Sequence, residues 1–129
     1  MNFHLERLDR WLAQHGEKIH LRRTVGTGNQ SYVQCEIKAQ IKPLTEQQLV
    51  GGVAQQSYMV ITSPTEIIKA QWPGGKPEPA QGGIISPVDP RLPIKNDVLF
   101  IRGEQKTVTR SSPIFYNGEC SRIELTVLG

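Results

Sequence analysis

The stretch VQCEIKAQI, residues 33–41, indicates the fold class because its side chains alternate strictly between apolar and polar. Folded as a strand, it would place five apolar side chains on one face and four polar ones on the other: Val33, Cys35, Ile37, Ala39 and Ile41 against Gln34, Glu36, Lys38 and Gln40. A strand with one buried and one solvated face is typical of antiparallel sheets. The stretch therefore predicts an antiparallel strand.

Other segments with strand patterns lie on both sides of this stretch. They are EKIHLRR (17–23), SYMVIT (57–62), DVLFIRG (97–103), QKTVTR with SSPIFY (105–116), and CSRIELTVL (120–128). A tight turn is expected at Gly103-Glu104, and Asn117-Gly118 is a strong hairpin signal because both residue types tolerate positive φ. About six strands without repeated βαβ units predict an all-β fold, either a small antiparallel barrel or a sandwich.

Residues 2–15 predict an N-terminal amphipathic helix, with Asn2 as its N-cap and Gly16 just past its end. Its apolar stripe consists of Leu5, Leu8, Trp11 and Leu12. This stripe has to pack against something, either the chain's own barrel or another subunit or partner.

A second, short helix is predicted after the third strand. Ser63 is placed as its N-cap, Pro64 at its first position and Glu66 at the third position of a capping box. Trp72-Pro73 would end it. The Pro- and Gly-rich stretch that follows, residues 73–93, is interpreted as an excursion within one domain spanning residues 1–129, with the barrel covering 17–129.

The composition fits a globular chain with a mildly basic surface. Of 129 residues, 37% are hydrophobic and 21% charged, and the net charge of +3 is compatible with nucleic acid nearby without indicating binding. Five basic residues of the final third would form a patch if they share one face: Arg91, Lys95, Arg102, Lys106 and Arg110. No apolar run approaches the roughly 20 residues of a membrane span, so we expect no membrane contact.

We expect no catalytic, metal or cofactor site, and therefore no enzyme. None of the three histidines has a ligand at metal-binding spacing. Cys35 shares the apolar face of its strand and is expected to be a buried thiol. Cys120 has the opposite parity from the apolar residues of its strand and is expected to be exposed, unless a bulge near Ser121 shifts the register. Asp89 and Asp97 lie in predicted loops and are expected to be solvated.

The order of these pieces resembles the head-closure proteins of tailed bacteriophages, also called stopper or head–tail joining proteins. The resemblance runs from EKIHLRR through YVQCEIKAQI and YMVITSPTEI and resumes at KNDVLFIRGEQKTV, covering about two-thirds of the chain. No single piece is specific. The N-terminal helix and residues 73–93 depart from the compact family pattern, which leaves open a tail terminator or another tail-side component of the neck.

The resemblance implies a small β-barrel assembled as a homo-oligomeric ring, a dodecamer. Such a ring would sit in the neck of the virion after assembly in the bacterial cytoplasm, between the portal with its adaptor and a tail terminator or tail protein. It would contact the packaged double-stranded DNA without sequence preference. The runner-up of a different class is a small-barrel module that binds nucleic acid.

In such proteins a loop between early strands projects into the channel, and here the corresponding segment is Lys42 to Gln56. The residues assigned to this channel loop are Lys42, Gln47, Gln48, Leu49, Val50, Gly51, Gly52 and Gln55. Two other interpretations stay open for the segment. Thr45 and Gln48 form a capping box for a short helix on the barrel, and a disordered connection is the third.

Overall fold

The computed structural model describes residues 3–24, 32–50, 53–70, 72, 84 and 86–129, with only the backbone described at 45–50 and 53–55. Its helices and strands, in chain order, are α1 (Phe3–His15), β1 (Glu17–Thr24), β2 (Tyr32–Val50), β3 (Val53–Thr62), α2 (Pro64–Lys69), β4 (Val98–Ile101), β5 (Glu104–Tyr116) and β6 (Glu119–Leu128). Asn2, which is the predicted N-cap of α1, lies outside the described residues. So do Gly51 and Gly52 of the predicted channel loop.

The six strands form a closed antiparallel barrel in the order β1-β2-β3-β6-β5-β4. The pairing of β1 with β4, from His20 opposite Phe100 to Arg22 opposite Val98, closes it. The expected all-β fold with an N-terminal helix and one short internal helix is thereby confirmed.

The barrel interior is filled by the apolar residues that the two-residue period predicted. On β2, Ile37 and Ala39 are completely buried and Cys35 nearly so, while Val33 and Ile41 pack half-buried against the core. The other strands contribute fully buried branched aliphatic side chains: Ile19, Leu21, Val60, Leu99, Val108, Ile123, Leu125 and Val127. The alternation in the sequence thus separates the inside of the barrel from its outside.

Two tight turns connect the last three strands. Asn117 and Gly118, with φ of 52° and 79°, join β5 to β6 as predicted. The turn between β4 and β5 lies one residue earlier than predicted, at Arg102 and Gly103, which have φ of 53° and 81°. Arg102 therefore occupies a left-handed conformation that the sequence did not indicate.

Cys120 is buried because β6 contains a bulge. Ile114 of β5 lies opposite Arg122, and the next residue, Phe115, lies opposite Cys120. Ser121 is therefore an extra residue on β6, which returns Cys120 to the inward face. The expectation of an exposed Cys120 is wrong, and the bulge that was its alternative is present.

α2 begins as its sequence predicted. The Ser63 hydroxyl accepts a hydrogen bond from the Thr65 backbone N–H at 3.1 Å, and Pro64 occupies the first helical position. The helix places Ile67 in the core of the barrel, where its side chain is fully buried.

The described part of the Pro- and Gly-rich stretch is attached to the barrel by Arg23. This guanidinium donates to both carboxylate oxygens of Asp97, at 3.0 and 2.9 Å, and to the carbonyls of Pro90 and Leu92, at 2.9 Å each. It also lies 4.4 Å from the centre of the Trp72 ring. A single cation of β1 thus fixes residues 90–97.

Asp89 and Asp97 are buried ion-pair partners, so the expectation that they are solvated is wrong. Asp97 is only 3% exposed and pairs with Arg23, and Asp89 pairs with Arg91 at 2.7 Å. The Arg91 hydrogen bond is the main cause that lowers the pKa of Asp89 below its ordinary value, although burial opposes it. Both carboxylates serve the fold.

The five basic residues of the final third do not form one exposed patch. Arg91 is 1% and Lys106 6% exposed, and Arg102 pairs with Glu17 at 2.7 Å. Lys95, Arg102 and Arg110 are exposed. The basic residues of the final third are therefore partly buried in the barrel and partly exposed on its surface.

Candidate functional site

Two surfaces of the barrel are candidates for function: an extension of the β2–β3 hairpin, and a groove beside α1. The extension contains the residues that were predicted to form a channel loop.

Residues 44–56, called the arm below, form the part of the hairpin that extends past the neighbouring strands. β1 pairs with β2 only as far as Ala39, and β6 pairs with β3 only from Ser57 onward. Within the arm, β2 and β3 pair with each other from Gln47 opposite Gln56 to Val50 opposite Val53. The arm is therefore a two-stranded ribbon whose paired part, four residues in each strand, is about 13 Å long at the usual rise per residue.

The arm is a β-ribbon. This decides against one of the three interpretations of the segment, a short helix packed on the barrel. Residues 45–50, with their capping-box pattern, continue β2 as a strand, so the packed helix is wrong. The disordered connection is wrong for residues 47–50 and 53–56, which pair with each other as strands. Tertiary pairing with β3 overrides the weak local helix signal.

The base of the arm is irregular. Between Pro43 and Gln47 the register shifts, with three residues of β2 facing the single residue Ser57 of β3. The Gln56 side-chain amide bridges the irregularity by donating to the carbonyls of Leu44 and Ser57. Lys42 is exposed next to this bulge. The shift of register interrupts the regular ladder between the barrel wall and the arm.

The arm is nearly neutral and rich in amides. Its sequence holds four glutamines, Gln47, Gln48, Gln55 and Gln56, and one charged residue, Glu46. Within the described residues, neither edge of the ribbon pairs with a further strand. Unpaired strand edges present backbone N–H and C=O groups, and an isolated hairpin is marginally stable in water. The arm is therefore suited to contact a partner outside this chain.

The apolar stripe of α1 is divided between two environments. Leu12 is 3% exposed and packs against the barrel, and Leu5 and Leu8 are half-buried, whereas Trp11 is 39% exposed. Asp9 adds a polar anchor by accepting hydrogen bonds from the hydroxyls of Ser63 and Thr65. Leu12 thus packs on the chain's own barrel, and the role of Trp11 in contacting a partner stays a prediction.

Beside Trp11 lies a groove of about 460 Å³ between α1 and the β5–β6 hairpin. Arg7, Leu8 and Trp11 line one wall, and Ile114, Tyr116 and Arg122 line the other. His4 closes one end by stacking edge-on against Tyr116, with ring centres 4.1 Å apart. The sequence indicates only the α1 wall, because no local pattern shows which part of β5 faces α1.

The fold and these two surfaces define a small closed antiparallel barrel with a projecting arm and an outer helix. No protein-family model matches the sequence, and no curated protein matches it. Across the described ranges, no group of three or more histidine, cysteine, aspartate and glutamate residues could hold a metal ion. No helix in the same ranges combines the length and apolarity of a membrane span.

Proposed function

We propose that this protein is a structural, non-enzymatic component of the neck of a tailed bacteriophage, a head-closure protein. It assembles into a ring, contacts the portal or its adaptor on one side and tail proteins on the other, and retains the packaged DNA. The observation that carries the proposal is the arm, a ribbon that leaves a closed barrel where head-closure proteins have their channel loop.

The chemistry of the arm supports this role. A segment that borders the DNA path in a ring must neither bind phosphates strongly nor repel them, because the DNA has to pass during packaging and ejection. A ribbon with four glutamines and one acidic residue meets that condition. Its unpaired edges and amide side chains offer hydrogen bonds to the arms of neighbouring copies.

The nucleic-acid-binding alternative has less support. Two of the five basic residues expected to form a patch, Arg91 and Lys106, are buried. Tyr32 is exposed, but the Arg22 guanidinium lies 3.9 Å from its ring centre and 4.4 Å from that of Phe100. These rings are covered by a cation that also hydrogen-bonds Gln34. A free stacking platform for bases is not formed there.

The test is assembly with purified portal–adaptor complexes from the genome that carries this gene, and a genome without a portal gene would contradict the proposal. We expect the protein to bind the complex and to add a ring visible by electron microscopy. Steeply salt-dependent DNA binding by the isolated chain, without association with the portal complex, would instead establish the nucleic-acid module. A ring that binds tail tubes and not portal complexes would indicate a tail terminator.

A further inference from the structure

The groove beside α1 combines exposed apolar side chains with two arginines, of which Arg7 has no ion-pair partner among the described residues. Seven large apolar side chains of the described residues are exposed, and three of them line this groove: Trp11 at 39%, Ile114 at 40% and Tyr116 at 45%. They come from two elements distant in sequence and converge on one cleft. Solvent-exposed apolar surface rimmed by polar groups commonly marks a protein-interaction site.

The charged groups of the groove are all basic. Arg7 stands on the α1 wall and Arg122 on the hairpin wall, and among the described residues no carboxylate lines the cleft. Arg7 is exposed and takes part in none of the ion pairs found among the described residues. The Nη2 of Arg122 pairs with Glu124 at 2.9 Å, but its Nε is buried and has no hydrogen-bond partner.

Arg7 is exposed on the wall of the cleft, so a carboxylate placed there gains a charge-assisted hydrogen bond with its guanidinium. The two arginines face the cleft from opposite walls, so an acidic group between them gains from both. The apolar side chains beside them favour a neighbour that is aromatic or branched aliphatic. Charge and shape together specify the chemistry of the occupant.

We propose that this groove binds a segment of another protein that carries a carboxylate beside an aromatic or branched aliphatic side chain. This goes beyond the head-closure proposal and does not require it, since the groove is formed by α1 and the β5–β6 hairpin and not by the arm.

The rest of the described surface favours a different protein over a second copy of this chain. Outside α1 and the β5–β6 hairpin, the exposed large apolar residues are Tyr32, Val88 and Ile94. Tyr32 is covered by a guanidinium, Val88 adjoins a carboxylate already bound to Arg91, and Ile94 adjoins a lysine. None of the three offers a free carboxylate next to an exposed apolar side chain. On α1 itself, Phe3 is 66% exposed and lies three residues before the exposed Glu6, so the test below includes binding of a second copy as an outcome that overturns the proposal.

The test is selection of binders from a displayed library of random short peptides on the full-length protein. We expect the selected peptides to share an aspartate or glutamate next to an aromatic or branched aliphatic residue. Binding of a synthetic selected peptide, followed by fluorescence anisotropy, should weaken about tenfold in Arg7→Glu, because reversal replaces one attraction by a repulsion.

Arg10→Glu is the matched control, because Arg10 lies on the same helix, is exposed and does not line the groove. It should bind the peptide like the wild type. Ile114→Ala is a second test variant, which removes apolar surface from the groove without changing its charge. A thermal melt verifies that each variant is folded.

Three results would overturn the proposal: selected peptides without carboxylates or no selection at all, equal binding by Arg7→Glu and Arg10→Glu, or self-association that Ile114→Ala abolishes. The last result would assign the groove to a second copy of this chain. Because no portal complex is used, failure here leaves the head-closure proposal to its own test.

Discussion

The two halves of β2 differ in what surrounds them. The first half, residues 32–39, pairs with β1 along one edge. On its other edge, some backbone carbonyls accept hydrogen bonds from side chains of the same chain. The Trp72 indole N–H donates to the Val33 carbonyl at 3.1 Å, and the Thr62 hydroxyl donates to the Lys38 carbonyl at 2.8 Å. The second half, in the arm, pairs with β3 alone.

This difference separates stability from function along one strand. The first half contributes buried side chains that hold the barrel together, and one of its backbone edges is paired with β1 along its whole length. Within the described residues, the arm does not pair with any strand other than β2 and β3 themselves. It therefore contributes little to the stability of the barrel. We infer that the arm is retained for contacts with other molecules.

The largest effect is expected from Ile37→Ala, in the half of β2 that lies in the barrel. Ile37 is fully buried in the core, so the truncation should lower the free energy of unfolding by about 4 kcal/mol, measured by urea denaturation. Glu36→Ala, on the outer face of the same strand, should change it by less than about 0.5 kcal/mol. Equal effects of the two would show that the alternation does not separate core from surface.

The next largest effect is expected where residues 90–97 attach to the barrel. Asp97→Ala removes the only carboxylate that pairs with Arg23 in the described residues and should cost about 3 kcal/mol of unfolding free energy. Asp97→Asn keeps the size of the side chain and should cost less. If Asp97→Ala unfolds at the wild-type urea concentration, the attachment by Arg23 is not a source of stability.

α1 allows the same comparison within one helix. Leu12→Ala should cost about 2 kcal/mol of unfolding free energy because Leu12 is packed against the barrel. Trp11→Ala should cost less, about 1 kcal/mol, because 39% of Trp11 is already exposed whereas Leu12 is 3% exposed. Thermal melts of both variants test this, and a greater loss in Trp11→Ala would place the main contact of the helix at Trp11.

Acid should destabilise the barrel through Asp89. Because the Arg91 hydrogen bond lowers the pKa of Asp89 below its ordinary value of 3.8, its contribution to stability is complete above that value. The contribution is lost as the pH falls from there through the lowered pKa. Urea midpoints from about pH 6 to about pH 3 should therefore fall more steeply in the wild type than in Asp89→Asn. Parallel curves would show that Asp89 is not linked to folding.

The barrel was predictable because its signals are local. The alternation at residues 33–41 and the hairpin residues Asn117-Gly118 depend on neighbours in sequence, and both have the predicted structure. The burial of Asp97 was not predictable, because its partner Arg23 is 74 residues away. A carboxylate in a loop carries no local sign of such a partner.

The arm and the groove were predicted only in part. The segment around Gln47 and Gln48 was recognised as unusual, but its capping-box pattern favoured a helix as one interpretation, and its strand structure depends on pairing with β3. For the groove, the sequence indicated the α1 stripe. It gave no sign that Ile114 and Tyr116 form the opposite wall, since that depends on where α1 lies on the closed barrel.

The most direct test of the central claim shortens the arm without disturbing the barrel. Replacing Leu49–Ala54 with Asn-Gly gives Gln48 and Gln55, which already pair, a two-residue turn of the favoured type. We predict an unchanged urea midpoint for the purified chain, together with virus heads that package DNA and then lose it. Heads that retain their DNA with this variant would contradict the account.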